Sequence, residues 1–237
     1  MFTKQHTTVP EVRVHPTAII EPGVRLGAGT SVWDHVHIRH GAVVGRNCII
    51  GEKTYIAYDV TIGNLVKLNA FVYVCAGVTI EDRVMVSAGT VFTNDKCPRA
   101  ALPDRSELVT SDPTEETLRT IVREGATIGA NATIGPGLEL GACCMVGMGA
   151  VVTKGVKPFQ VVVGTPARAA GWICVCGALL GRTLPTRAVT CERCHRRYAS
   201  RNGALRLLRP STHEPRRPRG LTASTRHVHQ EVSVASS

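Results

Sequence analysis

One short period governs what this chain can fold into. Stepping by six from Val14 meets Val14, Ile20, Leu26, Val32, Ile38, Val44, Ile50, Ile56, Ile62, Leu68, Val74, Ile80, Val86 and Phe92, every one apolar. Four places after each of the first thirteen stands a small or β-branched residue, from Ala18 and Val24 to Val84 and Thr90. The phase breaks at Lys96 and resumes at Val122, Ile128, Ile134, Leu140, Val146 and Val152. A helix needs a period of 3.6 and an alternating strand a period of two, and neither fits. An ordinary β-sandwich spaces its turn signals about 8–12 residues apart. A six-residue period fits short strand–turn units that each bury one aliphatic side chain, with Gly, Asn and Asp at the positive-φ corners. Three units to a triangular coil predict an all-β parallel β-helix of six to seven coils. At one strand spacing per coil it would be a prism about 30 Å tall.

Residues 93–121 leave the repeat. A long loop thrown from a regular solenoid adds little to packing, and such loops are commonly functional or disordered. Residues 1–13 read as an N-terminal extension, 14–173 as the β-helix domain carrying the 93–121 loop, 174–207 as a zinc-binding appendage and 208–237 as a disordered basic tail. The tail runs to Pro, Arg, Ser and Thr with few aliphatics.

The formal charge of +10 is concentrated at one end. Residues 1–181 carry 16 Lys/Arg against 15 Asp/Glu, and residues 182–237 carry 12 Arg against 3 Glu. The repeat region is therefore not a nucleic-acid binder. No apolar run is long enough for a membrane span, and the first dozen residues hold no signal-like stretch, so a cytoplasmic protein without stable membrane insertion is expected. Nine cysteines then read as free thiols or metal ligands. Cys48, Cys75, Cys143 and Cys144 fall on the repeat and read as core fillers. Cys174 and Cys176, with Cys191 and Cys194, have the pairing of a zinc ribbon, reduced thiols being the alternative. His195 could replace one ligand.

Histidine placement discriminates between chemistries. The nine stand at 6, 15, 35, 37, 40, 195, 213, 227 and 229, so the loop and the later repeats have none. That removes the three-His zinc site of carbonic-anhydrase-like β-helices and the loop base that a hydroxyl acceptor needs. A neutral amine attacks a thioester without such a base and needs only positioning.

A specific set of motifs starts at His15-Pro16-Thr17-Ala18-Ile19 and runs through Val32-Trp33 and His37-Ile38. Val91-Phe92-Thr93-Asn94-Asp95 with Pro98-Arg99-Ala100 follows, then Gly125-Ala126-Thr127-Ile128-Gly129-Ala130-Asn131 and Gly149-Ala150-Val151-Val152-Thr153-Lys154. Val163-Gly164-Thr165-Pro166-Ala167-Arg168 and Gly171-Trp172 close the set. Together they resemble the hexapeptide-repeat acetyltransferases, specifically the bacterial N-acetyltransferases of UDP-2-acetamido-3-amino-2,3-dideoxy-glucuronate used for surface polysaccharide. The resemblance implies a left-handed helix, acetyl-CoA as co-substrate, a nucleotide-linked amino sugar as acceptor, and a homotrimer with clefts between neighbouring prisms. It also implies that Asn94 stands where hydroxyl-acetylating relatives carry a loop His. There an amide could orient the amine or bond the oxyanion, Asp95 being the adjacent candidate proton acceptor; a loop-starting turn residue is the other reading of Asn94. Lys154, Lys157 and Arg168 are candidate CoA-phosphate partners or ordinary solvated charges. Trp33 and His37 fit sugar contact or a stacked ladder position equally. Relatives tend to have Ile-Gln-Asn-Asn where this chain reads Leu68-Asn69-Ala70-Phe71, which would shift the sugar accepted. A non-catalytic β-helix assembly subunit and a sugar O-acetyltransferase are the alternative functions.

Overall fold

The computed structural model describes residues 11–208 apart from 102, 103, 105, 110 and 111. Residues 1–10 of the expected extension and the expected tail beyond 208 lie outside the described residues. All twenty residues of the six-step row occupy strands, mostly of two residues, from Arg13–Val14 to Val151–Val152. Each strand pairs in parallel with the one a coil away, as in Arg13↔Ser31 and Ile19↔His37, which is the three-unit coil the period predicts. The strands stack into three parallel faces of a left-handed β-helix. The first face starts at Arg13–Val14, the second at Ile19–Ile20 and the third at Arg25–Leu26. The first face goes past the expected coils: Gln160–Val163 adds a parallel strand, and Arg168–Ile173 and Leu179–Gly181 follow antiparallel. Among the described residues no helix is long and apolar enough to cross a membrane.

The inward row makes one continuous core from Val32 to Val152, while Val14, at the open end, is exposed. Buried Thr30 and Thr54 hydrogen-bond the Gly45 and Asn69 carbonyls at 2.7 and 3.0 Å, so their hydroxyls are satisfied inside the stack. Ile80 is buried in the middle of this core. Ile80→Ala is expected to cost about 2–5 kcal/mol in denaturant unfolding, because a solenoid coil gripped on both sides collapses poorly onto a cavity.

The corners depart from expectation. Positive φ is held by Gly23, Gly41 and Gly89, but equally by Lys53, Leu65, Phe71, Arg83 and Cys143. The coil register imposes the conformation whatever the side chain. Each such N–H donates to the corner carbonyl one coil away, Leu65 to Arg46 at 2.9 Å and Phe71 to Glu52 at 2.9 Å. One hydrogen bond, worth about 1 kcal/mol, offsets the similar cost of the left-handed backbone. Cys143 is accordingly a corner residue and not a core filler, whereas Cys48, Cys75 and Cys144 are buried. Burial pushes the Cys75 and Cys144 thiols up to about 12, leaving them unreactive. Gly27 is required for a different reason, since a Cβ there would lie 2.5 Å from the Gly45 carbonyl carbon in the next coil.

Past Ile173 the chain forms a three-stranded antiparallel sheet of Val189–Thr190, Arg197–Arg201 and Ala204–Leu207. Too few apolar residues stand in this segment to expect a core from sequence. The structure nevertheless assembles a small one from Trp172, Cys174, Cys191, Tyr198 and Leu205, borrowing Trp172 from the strand that leaves the β-helix.

Candidate functional site

The loop departs from the corner between the second and third faces, just after the buried Phe92. Across it the register holds: Thr79 pairs with Thr61, 18 residues back, and with Ile121, 42 residues on. Its neck is fastened to both neighbouring coils. Thr93 donates its N–H and hydroxyl to the Ile134 carbonyl, at 3.0 and 3.1 Å. Asn94 Nδ2 donates to the Ala76 carbonyl at 3.3 Å, and the Asn94 main-chain carbonyl accepts from Leu118 N–H at 3.3 Å. Thr120 N–H donates to Gly77 at 3.0 Å. Gly77 has φ 83°, and a Cβ there would press on Leu118 O at 3.0 Å, so the neck sits down on a glycine.

Asn94 thus has a demonstrable structural part, and its side-chain oxygen is the pole left for another partner. Asp95 is exposed, with Oδ1 accepting from Cys97 N–H at 2.7 Å in an Asx turn. The two residues are adjacent on the neck.

The candidate phosphate residues divide. Phe92, Ile134 and Val152 stack in register, so Lys154 follows the same corner two coils above Asn94, about 10 Å by strand spacing. Lys157 is drawn away: its ammonium donates to the Gly203 carbonyl at 2.9 Å, strutting the appendage against the last coil. Arg168 is exposed where the antiparallel strand begins and bonds its neighbour's carbonyl, Ala167 O, at 3.0 Å. Lys157→Ala is expected to weaken docking of the appendage by about 1 kcal/mol or less, visible as faster amide exchange around Gly203.

The four cysteines of the appendage converge. Their sulfurs lie within 4.8 Å of one another, with Cys174–Cys194 at 3.3 Å and Cys176–Cys191 at 3.6 Å. Sulfurs placed about 2.3 Å from a shared tetrahedral centre would stand roughly 3.8 Å apart, so the cluster has the dimensions to hold a metal ion. Burial raises the Cys194 thiol, but the Arg196 N–H and the Cys174 and Cys176 thiols lower it further, to about 6. His195 is not part of the cluster.

A network that sequence reasoning did not isolate occupies the early coils of the second face. Glu21 lies 2.9 Å from His37 Nε2 and 2.5 Å from Arg39 Nε, and accepts from the His40 N–H at 2.8 Å. Burial raises the Glu21 carboxyl, while the His40 N–H, then His37 and Arg39, lower it to a net value below the ordinary carboxylate range. Arg39 also donates to the Tyr55 hydroxyl at 2.8 Å and to that of Tyr58, its guanidinium 4.1 Å from the Tyr58 ring centre. His37, Tyr55 and Tyr73 form one outward ladder, at 5.5 Å edge-on and then 5.2 Å stacked. His37 thus holds a ladder position. The signal was a step of 18, three hexads, on the outward row.

Comparison with known proteins agrees with this architecture. The family described as bacterial transferase hexapeptide (six repeats) matches residues 23–58 and 119–154, the segments flanking the loop-bearing region. A dTDP-3-amino-3,6-dideoxy-alpha-D-galactopyranose 3-N-acetyltransferase of Aneurinibacillus thermoaerophilus is 38% identical over 195 residues, 82% of this chain and 94% of that protein. An acyl-[acyl-carrier-protein]–UDP-N-acetylglucosamine O-acyltransferase of Brucella ovis is 42% identical over 53 residues, only 22% of this chain and 19% of that protein. Among solved structures, an N-acyltransferase from Bacillus cereus in complex with dTDP and coenzyme A aligns at 20% identity and TM-score 0.45, over 67% of this chain and 79% of that one.

Proposed function

Because the chain belongs to the bacterial transferase hexapeptide family, we propose that it transfers acetyl from acetyl-CoA to the amino group of a nucleotide-linked amino sugar. The observation that carries this reading is identity of 38% along 94% of a sugar 3-N-acetyltransferase. The acceptor proposed is a 3-amino sugar linked to UDP or dTDP. The motif resemblance favours a UDP-linked uronic acid, and the long relative acts on a dTDP-linked 3,6-dideoxy sugar. The working unit is a homotrimer with the loop of each copy closing a cleft.

In this mechanism the acceptor amine, neutral, presents its lone pair to the thioester carbonyl. The carbon–nitrogen bond forms, a tetrahedral oxyanion develops, and its collapse breaks the carbon–sulfur bond. The proton leaves the nitrogen and ends on the CoA thiolate. Asn94 Oδ1 accepts an amine N–H and aims the lone pair, its amide nitrogen being tied to Ala76. Asp95 carries the proton between nitrogen and sulfur. Lys154 and Arg168 meet CoA phosphates, whereas Lys157 is committed to Gly203. Among the described residues His15, His35, His37 and His40 lie on the first two coils and His195 lies in the appendage, so none belongs to the loop that carries Asn94. Cys174, Cys176, Cys191 and Cys194 would hold a zinc ion, which would cross-link the appendage away from the transfer chemistry.

Thiol release with acetyl-CoA and a panel of UDP- and dTDP-linked 3-amino sugars tests this. Transfer should rise with pH as the amine, with a pKa of about 8, deprotonates, and should show no imidazole limb near 6.5. Turnover on hydroxyl sugars lacking an amine would favour O-acetylation instead, and silence across the panel with no CoA binding would favour an assembly subunit.

A further inference from the structure

Five of the ten Phe, Trp and Tyr residues of this aromatic-poor chain gather on coils two to four around the second face: Trp33, Tyr55, Tyr58, Phe71 and Tyr73. Trp33, Phe71 and Tyr73 are 51%, 55% and 45% exposed, and no other Phe, Trp or Tyr among the described residues is exposed. On coils five to seven the outward row of the same face becomes Val91, Thr133 and Val151. Coil stacking therefore does not require rings, and their concentration below the loop needs another cause.

Phe71 sharpens the point. It holds φ 58° at a corner that a glycine, Gly89, occupies one coil above. A phenylalanine there is strained relative to glycine, which makes the same main-chain hydrogen bond at the corner above. More than half of the residue stays in water, so folding gains little in return. Lys53 Nζ sits 5.1 Å from its ring centre. Above it, the space left by the missing Cβ of Gly89 is filled by the exposed Asn131 carboxamide, reaching down from the sixth coil. An open ring with a cation beside it and Tyr73 two residues on thus stand one coil below a corner occupied by a carboxamide that has one donor pole and one acceptor pole.

We propose that the Phe71–Tyr73 ledge binds the pyrimidine base of the sugar nucleotide, stacking it on the rings and reading its edge with Asn131. This rests on the acceptor being a nucleotide-linked sugar. Direction decides the placement. With the amine at Asn94, the nucleotide extends along the prism axis either toward Lys154 or toward the early coils. The late coils carry the CoA phosphates in the proposed function, and the second face has no ring there. The ledge lies one coil below the strand that leads into Asn94, about 5 Å along the axis, within reach of a nucleoside diphosphate bound to the sugar. Exposed Lys96 and Arg99 follow Asn94 on the loop and add positive charge to this side of the prism.

Calorimetry on the full chain with dTDP, UDP and GDP, together with steady-state KM for the amino sugar nucleotide and for acetyl-CoA, tests the assignment in Phe71→Gly and Tyr73→Ala. Phe71→Gly keeps the corner conformation without strain, so its melting temperature should stay level or rise. Each variant should weaken dTDP or UDP binding about tenfold, the scale of one lost base–ring stack, with affinity for acetyl-CoA and oligomeric mass unchanged. Unchanged nucleotide affinity in both variants, with transfer intact in the wild type, would overturn the ledge and leave the proposed function standing. Dissociation of the oligomer in place of nucleotide loss would make the ledge a contact between copies, which also overturns it. A wild-type chain that neither binds these nucleotides nor releases thiol would remove the functional reading and the ledge with it.

Discussion

Asn94→Ala is expected to lower turnover by about 10²-fold while the chain still folds and binds acetyl-CoA. The size follows from loss of aim: a misplaced acceptor costs about that much without any change in binding. Stability should fall only slightly, because the Nδ2–Ala76 bond is worth about 1 kcal/mol and Asn94 is not itself a member of the buried core. The structural part of Asn94 complicates the reading of alanine alone. Asn94→Asp separates the two parts, since it keeps an acceptor oxygen and loses the donor to Ala76. Partial recovery of kcat in Asn94→Asp, with the KM for acetyl-CoA unmoved in both variants, assigns the role to amine orientation. Wild-type kcat in Asn94→Ala would leave it a neck residue and nothing more.

The second large effect concerns the appendage. The chain as purified should carry about one zinc, measured by elemental analysis, and Cys191→Ser should abolish it. In small zinc domains the metal contributes on the order of 10 kcal/mol, and the ribbon loses its fold without it. Here the small core around Tyr198 and Trp172 lessens the dependence without removing it. Metal removal should therefore unfold residues 174–207 in a separate early transition, with amide protection lost from Tyr198 to Leu207, while the β-helix melts at its former temperature. A metal-free chain with that segment fully protected would make the four thiols mere packing atoms.

The six-residue period was enough to place the first twenty of the 26 described strands, because in a solenoid each inward side chain meets only its own column, and a column is a fixed step along the chain. The loop was legible for the same reason, as a stretch that no column accepts. The cysteine pairs were legible by spacing, and the structure brings their sulfurs together. Lys157 was not: as a charge near the late coils it resembles Lys154, and only the fold sends it to Gly203. The identity of the corner residues was also opaque. Propensity favours glycine there, yet Leu65 and Phe71 accept the same backbone because a hydrogen bond from the neighbouring coil compensates.

Local pattern thus determined the architecture of this protein, its interruption and its metal-competent cysteines, all of which depend on spacings within one or two turns of chain. Tertiary structure alone decided which side chains from different coils share a ledge. Glu21 meets Arg39, Tyr55 stacks on Tyr73, and Asn131 fills the place of a Cβ at Gly89, because stacking sets residues 18 or more apart in sequence about one strand spacing apart in space. A period specifies the columns. Which outward residues cooperate depends on the corners and on how the loop resets the count, and those are settled only when the coils close on one another.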